Sequence, residues 1–209
     1  DRLNILKKKE LFWLKKGKIE KKGFLHDIFK SHKPELVIHL AAQAGVRYSL
    51  DSPRSYLDSN IIGTFELLEA AKAFPPNHLL FASTSSVYGS NVEMPYLENT
   101  KTDHPLSFYA ATKKSNEAMA HSYAHLFKIP ITLFRFFTVY GPWGRPDMAI
   151  FKFTKAIIDG RPIDVYNYGN LKRDFTYISD LVKAITLLIE KSPNLVESIS
   201  DKIDSISPV

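Results

Sequence analysis

Apolar positions along the chain form two kinds of pattern, and the two alternate. Continuous apolar runs at Leu36–Leu40, His78–Ser83 and Ile131–Phe136 have the signature of buried strands in a parallel sheet. Between them lie longer stretches with helical spacing. Gly23–Ser31 places Leu25, Ile28 and Phe29 on one side, and Pro53–Phe74 places Ile61, Phe65, Leu68 and Ala71 on one stripe. Leu106–Lys128 has no internal proline or glycine. Pro53 suits a first helical turn, while Pro34 and Pro75-Pro76 close the elements before them. Residues 5–22 mix lysines with large apolars around Gly17, which reads as a short helix and then a strand. Further on, Met148–Asp159 reads as a helix, Gly160-Arg161-Pro162 as a turn, Ile163–Tyr166 and Phe175–Ile178 as short strands, and Thr138–Pro146 as a Gly/Pro-rich loop. Asp180 suits the N-cap or first turn of a last helix reaching Lys191. After Pro193 the sequence is polar and irregular. Strands alternating with helices predict βαβ units, hence an α/β fold with a parallel sheet.

Composition narrows the class. The chain has 209 residues, 44% hydrophobic and 24% charged, as in a soluble globular protein of one domain and part of another. With no cysteine, disulfides and thiolate metal sites are excluded, and a reducing compartment, the cytoplasm, is the expected location. No apolar run approaches membrane-spanning length, so no membrane association is expected. Charge is uneven. Residues 1–33 hold 11 Lys/Arg against 4 Asp/Glu, and the remainder holds 17 against 18. The basic character belongs to one short segment without a glycine-rich or aromatic RNA-binding signature, so it reads as a solvated lysine face, with no nucleic-acid partner.

Chemistry enters at Tyr109-Ala110-Ala111-Thr112-Lys113. A spacing of four residues puts the phenol and the ammonium one turn apart on one helical face. A free tyrosine, with a pKa of about 10, is a poor base at neutral pH. A neighbouring lysine charge is expected to favour phenolate and lower that pKa, making the pair a proton-transfer device beside a redox cofactor. The small-residue loop Ala41-Ala42-Gln43-Ala44-Gly45 follows its strand directly, where α/β sheets bind ligands.

Six segments in order then carry a resemblance. They are His39-Leu40-Ala41-Ala42, Asn60-Ile61-Ile62-Gly63-Thr64, Ser83 through Gly89, Tyr109-x-x-x-Lys113, Arg135 through Pro142 and Arg173 through Ile178. Over about residues 35–192 the chain resembles the extended short-chain dehydrogenase/reductase superfamily, and within it the NAD-dependent nucleotide-sugar epimerases, closest to the UDP-glucuronate 4-epimerases. The resemblance implies a Rossmann-like parallel sheet with helices on both faces, and part of a small substrate-binding domain. It implies a cofactor domain over 1–140, a nucleotide-sugar region over 141–177, a helix at 178–192 returning to the cofactor domain, and a tail at 193–209. NAD is the implied cofactor, a UDP-sugar the substrate, and a homodimer through a helix bundle the assembly. No metal is implied.

Roles follow from the same resemblance. Tyr109 takes the proton of the sugar 4-hydroxyl, Thr84 hydrogen-bonds that oxygen, and Lys113 holds the nicotinamide ribose. Ala41, Ala42, Asn60 and Phe136 lie along the cofactor. Ser85, Thr138 and Arg145 contact the sugar, with Arg145 gripping a C6 carboxylate. Arg173 binds the diphosphate, and Arg47 is a weaker substrate candidate. Nucleotide-sugar dehydratases carry an Asp-Glu pair after the position of Thr84, and UDP-glucuronate decarboxylases a glutamate. Ser85-Ser86 supply no carboxylate, so epimerisation is favoured. The Arg145-Pro146-Asp147-Met148 loop favours a uronic acid over a neutral UDP-hexose.

Two family features have no counterpart here. There is no Gly-x-x-Gly-x-x-Gly turn to hold a pyrophosphate, and Gly17-Lys18-Ile19 has lysine where the family has an adenine-contacting aspartate. The chain is therefore expected to be a piece truncated at both ends, binding NAD poorly by itself. The alternative is a silent homologue acting by subunit association.

Overall fold

A computed structural model describes residues 2–193; the tail expected after Pro193 lies outside the described residues. Helix α1 spans Arg2–Leu6 and α2 spans Phe24–His32. Between them residues 12–18 are irregular, so the strand expected within 5–22 does not form. No neighbouring strand offers this segment a ladder, and side chains fasten it instead. Ile19 packs where Gly63 lacks a Cβ; one added there would sit 2.6 Å from Ile19 Cδ1. The Gly23 N–H donates to Glu66 Oε2 at 3.2 Å.

Strand β1 is Leu36–His39, and a one-turn helix α3, Tyr48–Asp51, follows it. The long helix expected from Pro53 comes in three joined pieces: α4 (Pro53–Tyr56), a π-helical turn (Leu57–Ile62) and α5 (Gly63–Ala73). Next come β2 (His78–Thr84), a 3-10 turn (Ser85–Tyr88), α6 (Phe108–Phe127) and β3 (Ile131–Phe136). The remaining elements are β4 (Thr138–Tyr140), α7 (Ala149–Ile158), β5 (Phe175–Tyr177) and α8 (Ile178–Ile189). Two expectations need correcting here. The loop expected from Thr138 begins as a strand, because Thr138–Tyr140 pair in parallel with Phe175–Tyr177. The strand expected at Ile163–Tyr166 is absent. Tyr166–Gly169 instead make a 3-10 turn with Asn167 and Tyr168 at φ 50° and 51°, left-handed backbone that no ladder accommodates.

The main sheet is parallel, in the order β1-β2-β3. Its centre, β2, buries Leu79, Leu80 and Phe81 completely; because neighbours on a strand point to opposite faces, both faces are covered. One face packs on Leu67, Leu68, Ala70 and Ala71 of α5, Ala120 and Ala124 of α6, and Phe29 of α2. At the start of β2, His78 Nδ1 donates to Ile189 O at 3.2 Å and Ser192 Oγ donates to Asn77 O, which ties the end of α8 to the sheet. Among the described residues β1 is an edge, so its apolar run is not the buried strand its pattern suggests: Ile38 is 39% exposed. Phe65 also lies outside the core, at 44% exposure, since the wider π turn shifts the helical register before it.

This core carries a stability test. Leu68 is fully buried and Leu11 is 97% exposed. Leu68→Ala should cost about 2–5 kcal/mol in urea unfolding, and Leu11→Ala should stay within about 0.5 kcal/mol of the parent.

Candidate active site

Helix α6 begins cleanly: Ser107 caps it, its Oγ accepting from the Ala110 N–H at 3.1 Å. The helix then runs twenty residues and lays Tyr109, Lys113 and Glu117 on one face at successive four-residue steps. Thr84 ends β2 and stands opposite Phe136 in the ladder. It also caps the 3-10 turn, its Oγ1 accepting from the Ser86 N–H at 3.2 Å and lying 3.3 Å from Ser86 Oγ.

Tyr109 and Thr84 are brought together. Burial raises the Tyr109 phenol above its ordinary pKa, while its side-chain contact with Thr84 and then the Arg145 charge pull it down. The expected lowering by Lys113 is corrected by this geometry. Desolvation dominates, and the opposing groups are Thr84 and Arg145, not the lysine. Lys113 lies deeper, 3% exposed, with its Nζ 5.3 Å from the centre of the Phe81 ring. Burial brings its pKa down to about 8, and the Glu117 carboxylate opposes the fall. The buried His39 ring packs 4.8 Å from Phe81. Desolvation, and secondarily the Lys113 charge, push His39 down to about 3. The site therefore holds a neutral phenol, a neutral imidazole and a lysine cation at neutral pH.

Asn60 lies in the π turn and is buried, with its amide fully engaged. Its Oδ1 accepts from the Gln43 N–H at 2.8 Å; its Nδ2 donates to Gln43 O at 3.1 Å and to Thr112 Oγ1 at 3.0 Å. It pins the loop after β1 to α6, between Tyr109 and Lys113. Tyr56 does the same one turn earlier, donating to Gly45 O at 2.5 Å while its ring meets that of Tyr109 edge-on. Arg145 Nη2 packs where a Cβ on Gly45 (φ +108°) would lie 3.5 Å away. Arg145 forks onto Asp147, with Nε to Oδ1 at 2.9 Å and Nη2 to Oδ2 at 2.5 Å.

The other sequence-derived candidates fall at the strand ends. Ala41 and Ala42 are exposed immediately after β1, and Ser85 is half-buried immediately after Thr84. Phe136 stacks on Phe134 at 5.4 Å. The Thr138 N–H donates to Asp174 O at 3.2 Å. Arg173 is not brought to this group; its side chain donates to Lys172 O. Arg47 lies over the Tyr166 ring at 4.2 Å, beside a cavity of about 460 Å³ that Asp147, Lys152, Lys155 and Arg161 also line. Sequence reading gave no role to Ser83 and Arg135 and passed over Glu117. The Glu117 carboxylate accepts from Ser83 Oγ at 2.5 Å and from Arg135 Nε and Nη2 at 3.1 and 3.0 Å. The available signal was the continued four-residue spacing from Tyr109 through Lys113 to Glu117. Among the described residues no His/Cys/Asp/Glu cluster fits a metal ion, and no helix is long and apolar enough to cross a membrane.

His39 gives the site a pH signature. Its folded pKa lies below its unfolded value of about 6.5, so the unfolded chain binds the proton first, and stability falls as pH drops from 6.5 toward 3. By pH 5 the loss from this group should be about 2 kcal/mol. Urea unfolding of His39→Asn should show a correspondingly flatter pH dependence between 6.5 and 5.

Comparison with known proteins places this arrangement. Residues 2–199 match the NAD dependent epimerase/dehydratase family. A protein of Rhizobium meliloti described as "Probable UDP-glucuronate 4-epimerase" is 61% identical over 162 residues, 78% of this chain and 48% of the relative. The crystal structure of UDP-glucuronic acid 4-epimerase from Bacillus cereus, in complex with UDP-glucuronic acid and NAD, superposes with a TM-score of 0.85 at 35% identity. That match covers 93% of this chain and 61% of the other. A double mutant of the dTDP-glucose 4,6-dehydratase DesIV from Streptomyces venezuelae, with NAD bound, reaches 0.83 at 25% identity, covering 90% and 58%. The chain spans about half the length of the curated relatives it matches. It belongs to the NAD dependent epimerase/dehydratase family.

Proposed function

We propose that the protein containing this chain inverts C4 of a UDP-hexuronic acid, converting UDP-glucuronate to UDP-galacturonate through a 4-keto sugar. The observation that carries this reading is the meeting of the Tyr109 phenol with Thr84 and the Arg145 charge. NAD, when bound, takes up the C4 hydride and gives it back. The residues present fit its nicotinamide end. Lys113 is buried, with its Nζ over the Phe81 ring, and the loop after β1 is small-sided and held by Asn60. Ala41 and Ala42 belong to that loop and Phe136 stands opposite Thr84 in the ladder, and we assign the first 140 residues as the cofactor part.

Tyr109 takes the proton from the 4-hydroxyl, and Thr84 hydrogen-bonds the same oxygen, which orients it toward the phenol. The Thr84 contact and the Arg145 charge, joined by the positive charge of NAD when bound, offset the burial that holds Tyr109 neutral in the structure. Once the sugar has turned over, Tyr109 returns the proton to the oxygen of the inverted centre. Because the fold is shared with a dehydratase, the fold alone does not choose the reaction. Ser85-Ser86 do, since neither can protonate and expel a hydroxyl group as an acid–base carboxylate pair can.

Arg145 grips the C6 carboxylate, since a guanidinium meets a carboxylate with two parallel bonds. Asp147 occupies its Nε/Nη2 edge and leaves the outer edge to the substrate. Thr138 and Ser85 add hydroxyl contacts. Residues 141–177 hold the nucleotide, with Arg173 on the diphosphate and Arg47 at the cavity, and 178–192 return to the cofactor part. Cysteine-free composition supports a cytoplasmic setting. In the full-length protein with NAD, chromatography should show UDP-galacturonate formed from UDP-glucuronate. Tyr109→Phe should lower kcat by about 10²–10⁴-fold, and Arg145→Ala should erase the preference over UDP-glucose. Equal turnover of both sugars by the parent would overturn the uronate assignment.

The same reading extends to assembly as a homodimer. Phe65 on α5 and Leu126 and Phe127 at the end of α6 are exposed apolars on the two longest neighbouring helices. Two helices from each copy would form a four-helix bundle. Sedimentation equilibrium should return twice the protomer mass; a monomer at micromolar concentration would reject it.

A further inference from the structure

Glu117 has no part in the chemistry above, yet it is 7% exposed and fully engaged. Its two oxygens collect Ser83 Oγ of β2 and the Nε and Nη2 of Arg135 of β3. Arg135 continues outward, with Nη1 donating to Glu98 O at 3.0 Å and its guanidinium 5.0 Å from the centre of the Tyr88 ring. One carboxylate thus ties α6 to two strands, and through Arg135 to the 3-10 turn and the loop before α6. Its anchor on β2 is the residue immediately preceding Thr84, and its place on α6 is one turn beyond Lys113 and two beyond Tyr109.

We propose that Glu117 is a positioning residue that keeps Lys113 charged and seats α6 on β2 so that Tyr109 meets Thr84. This rests on the proton-transfer reading of those three residues. The geometry favours it over a purely mechanical tie. The groups around the Lys113 ammonium are the Phe81 ring beneath it and the neutral His39 on β1. Tyr109 lies before it on α6, and Glu117 lies after it. Arg135 on β3 lies beyond Glu117 and is bonded to it. Among the described residues Glu117 is the carboxylate acting on Lys113, and it opposes the desolvation that lowers the lysine. Without a carboxylate at 117, Lys113 is left to the desolvation that favours its neutral form.

The test is to titrate Lys113 directly. Lysine labelled with 13C at Cε gives one NMR signal per side chain, and Lys113 is assigned by its disappearance in Lys113→Arg. In Glu117→Gln the amide oxygen still accepts from Ser83, but the charge is gone. The Lys113 midpoint should fall by about one unit, a tenfold change in the ammonium–amine equilibrium. The alkaline limb of kcat in the full-length enzyme should move down with it, and KM for the sugar should hold. If Glu117→Gln fails to fold, Glu117→Gln/Arg135→Gln removes equal and opposite charges, and a smaller fall is expected, because the Arg135 cation no longer opposes the ammonium. Glu117→Asp, with its carboxylate drawn back, should restore part of the midpoint. A Lys113 midpoint unmoved in the folded variant overturns the proposal, even if stability drops. Failure of the parent to epimerise would count against the function and leave the titration result standing.

Discussion

Helix α6 buries Glu117 beside β2, where Arg135 reaches across from β3 to meet the carboxylate with two nitrogens and Lys113 lies buried one turn before it. Stripping two ions of water costs several kcal/mol each, and such a pair seldom adds net stability over apolar packing. Removing one partner is another matter, costing about 3–5 kcal/mol, because it leaves a naked charge inside. The pair therefore makes sense less as a source of stability than as a fixed electrostatic feature. It sets how α6 lies on the sheet, and the face it sets is the one that carries Tyr109.

A second constraint acts on backbone. The loop after β1 must stay open and small-sided, and such a loop would ordinarily be mobile. Asn60 prevents that by bonding both the N–H and the C=O of Gln43 and reaching Thr112 with the same amide. The π turn lets this happen, because widening the helix turns one polar side chain toward the loop. Gly89 does related work on the other side. Its φ is +57°, and a Cβ there would lie 1.9 Å from His104 O, so only glycine lets the long loop close over the end of β2.

The sheet and its helices were legible because their signals are local. The apolar runs of β1, β2 and β3 and the uninterrupted Phe108–Phe127 helix follow from composition and spacing alone. Exposure was not legible, since an apolar run such as Leu36–Leu40 reads the same at an edge and at a centre. The π turn, the β4–β5 pairing and the left-handed Asn167-Tyr168 depend on contacts far along the chain. Within the site, the Tyr109–Lys113 spacing and Thr84 at a strand end were visible. The Ser83–Glu117–Arg135 knot was not, because its members lie 18 and 34 residues apart. The direction of the Tyr109 shift was misjudged for a related reason. Spacing reports that a lysine is near, whereas burial, which outweighs it, belongs to the packed structure.

The architecture separates chemistry from selectivity. Tyr109, Lys113 and Thr84 sit on rigid elements, fixed by buried bonds, where a small displacement would be costly to proton transfer. Arg145 sits on an exposed loop, with half its guanidinium already held by Asp147. That arrangement suits a recognition group. The fork fixes how the guanidinium lies in the loop. On the proposed function, its outer edge is the one left for an incoming carboxylate. A neutral sugar would leave that edge unpaired and lose the charge-assisted bonds that a uronic acid makes. On the proposed function, discrimination could therefore be altered in the loop without disturbing the helix and strand that carry Tyr109, Lys113 and Thr84.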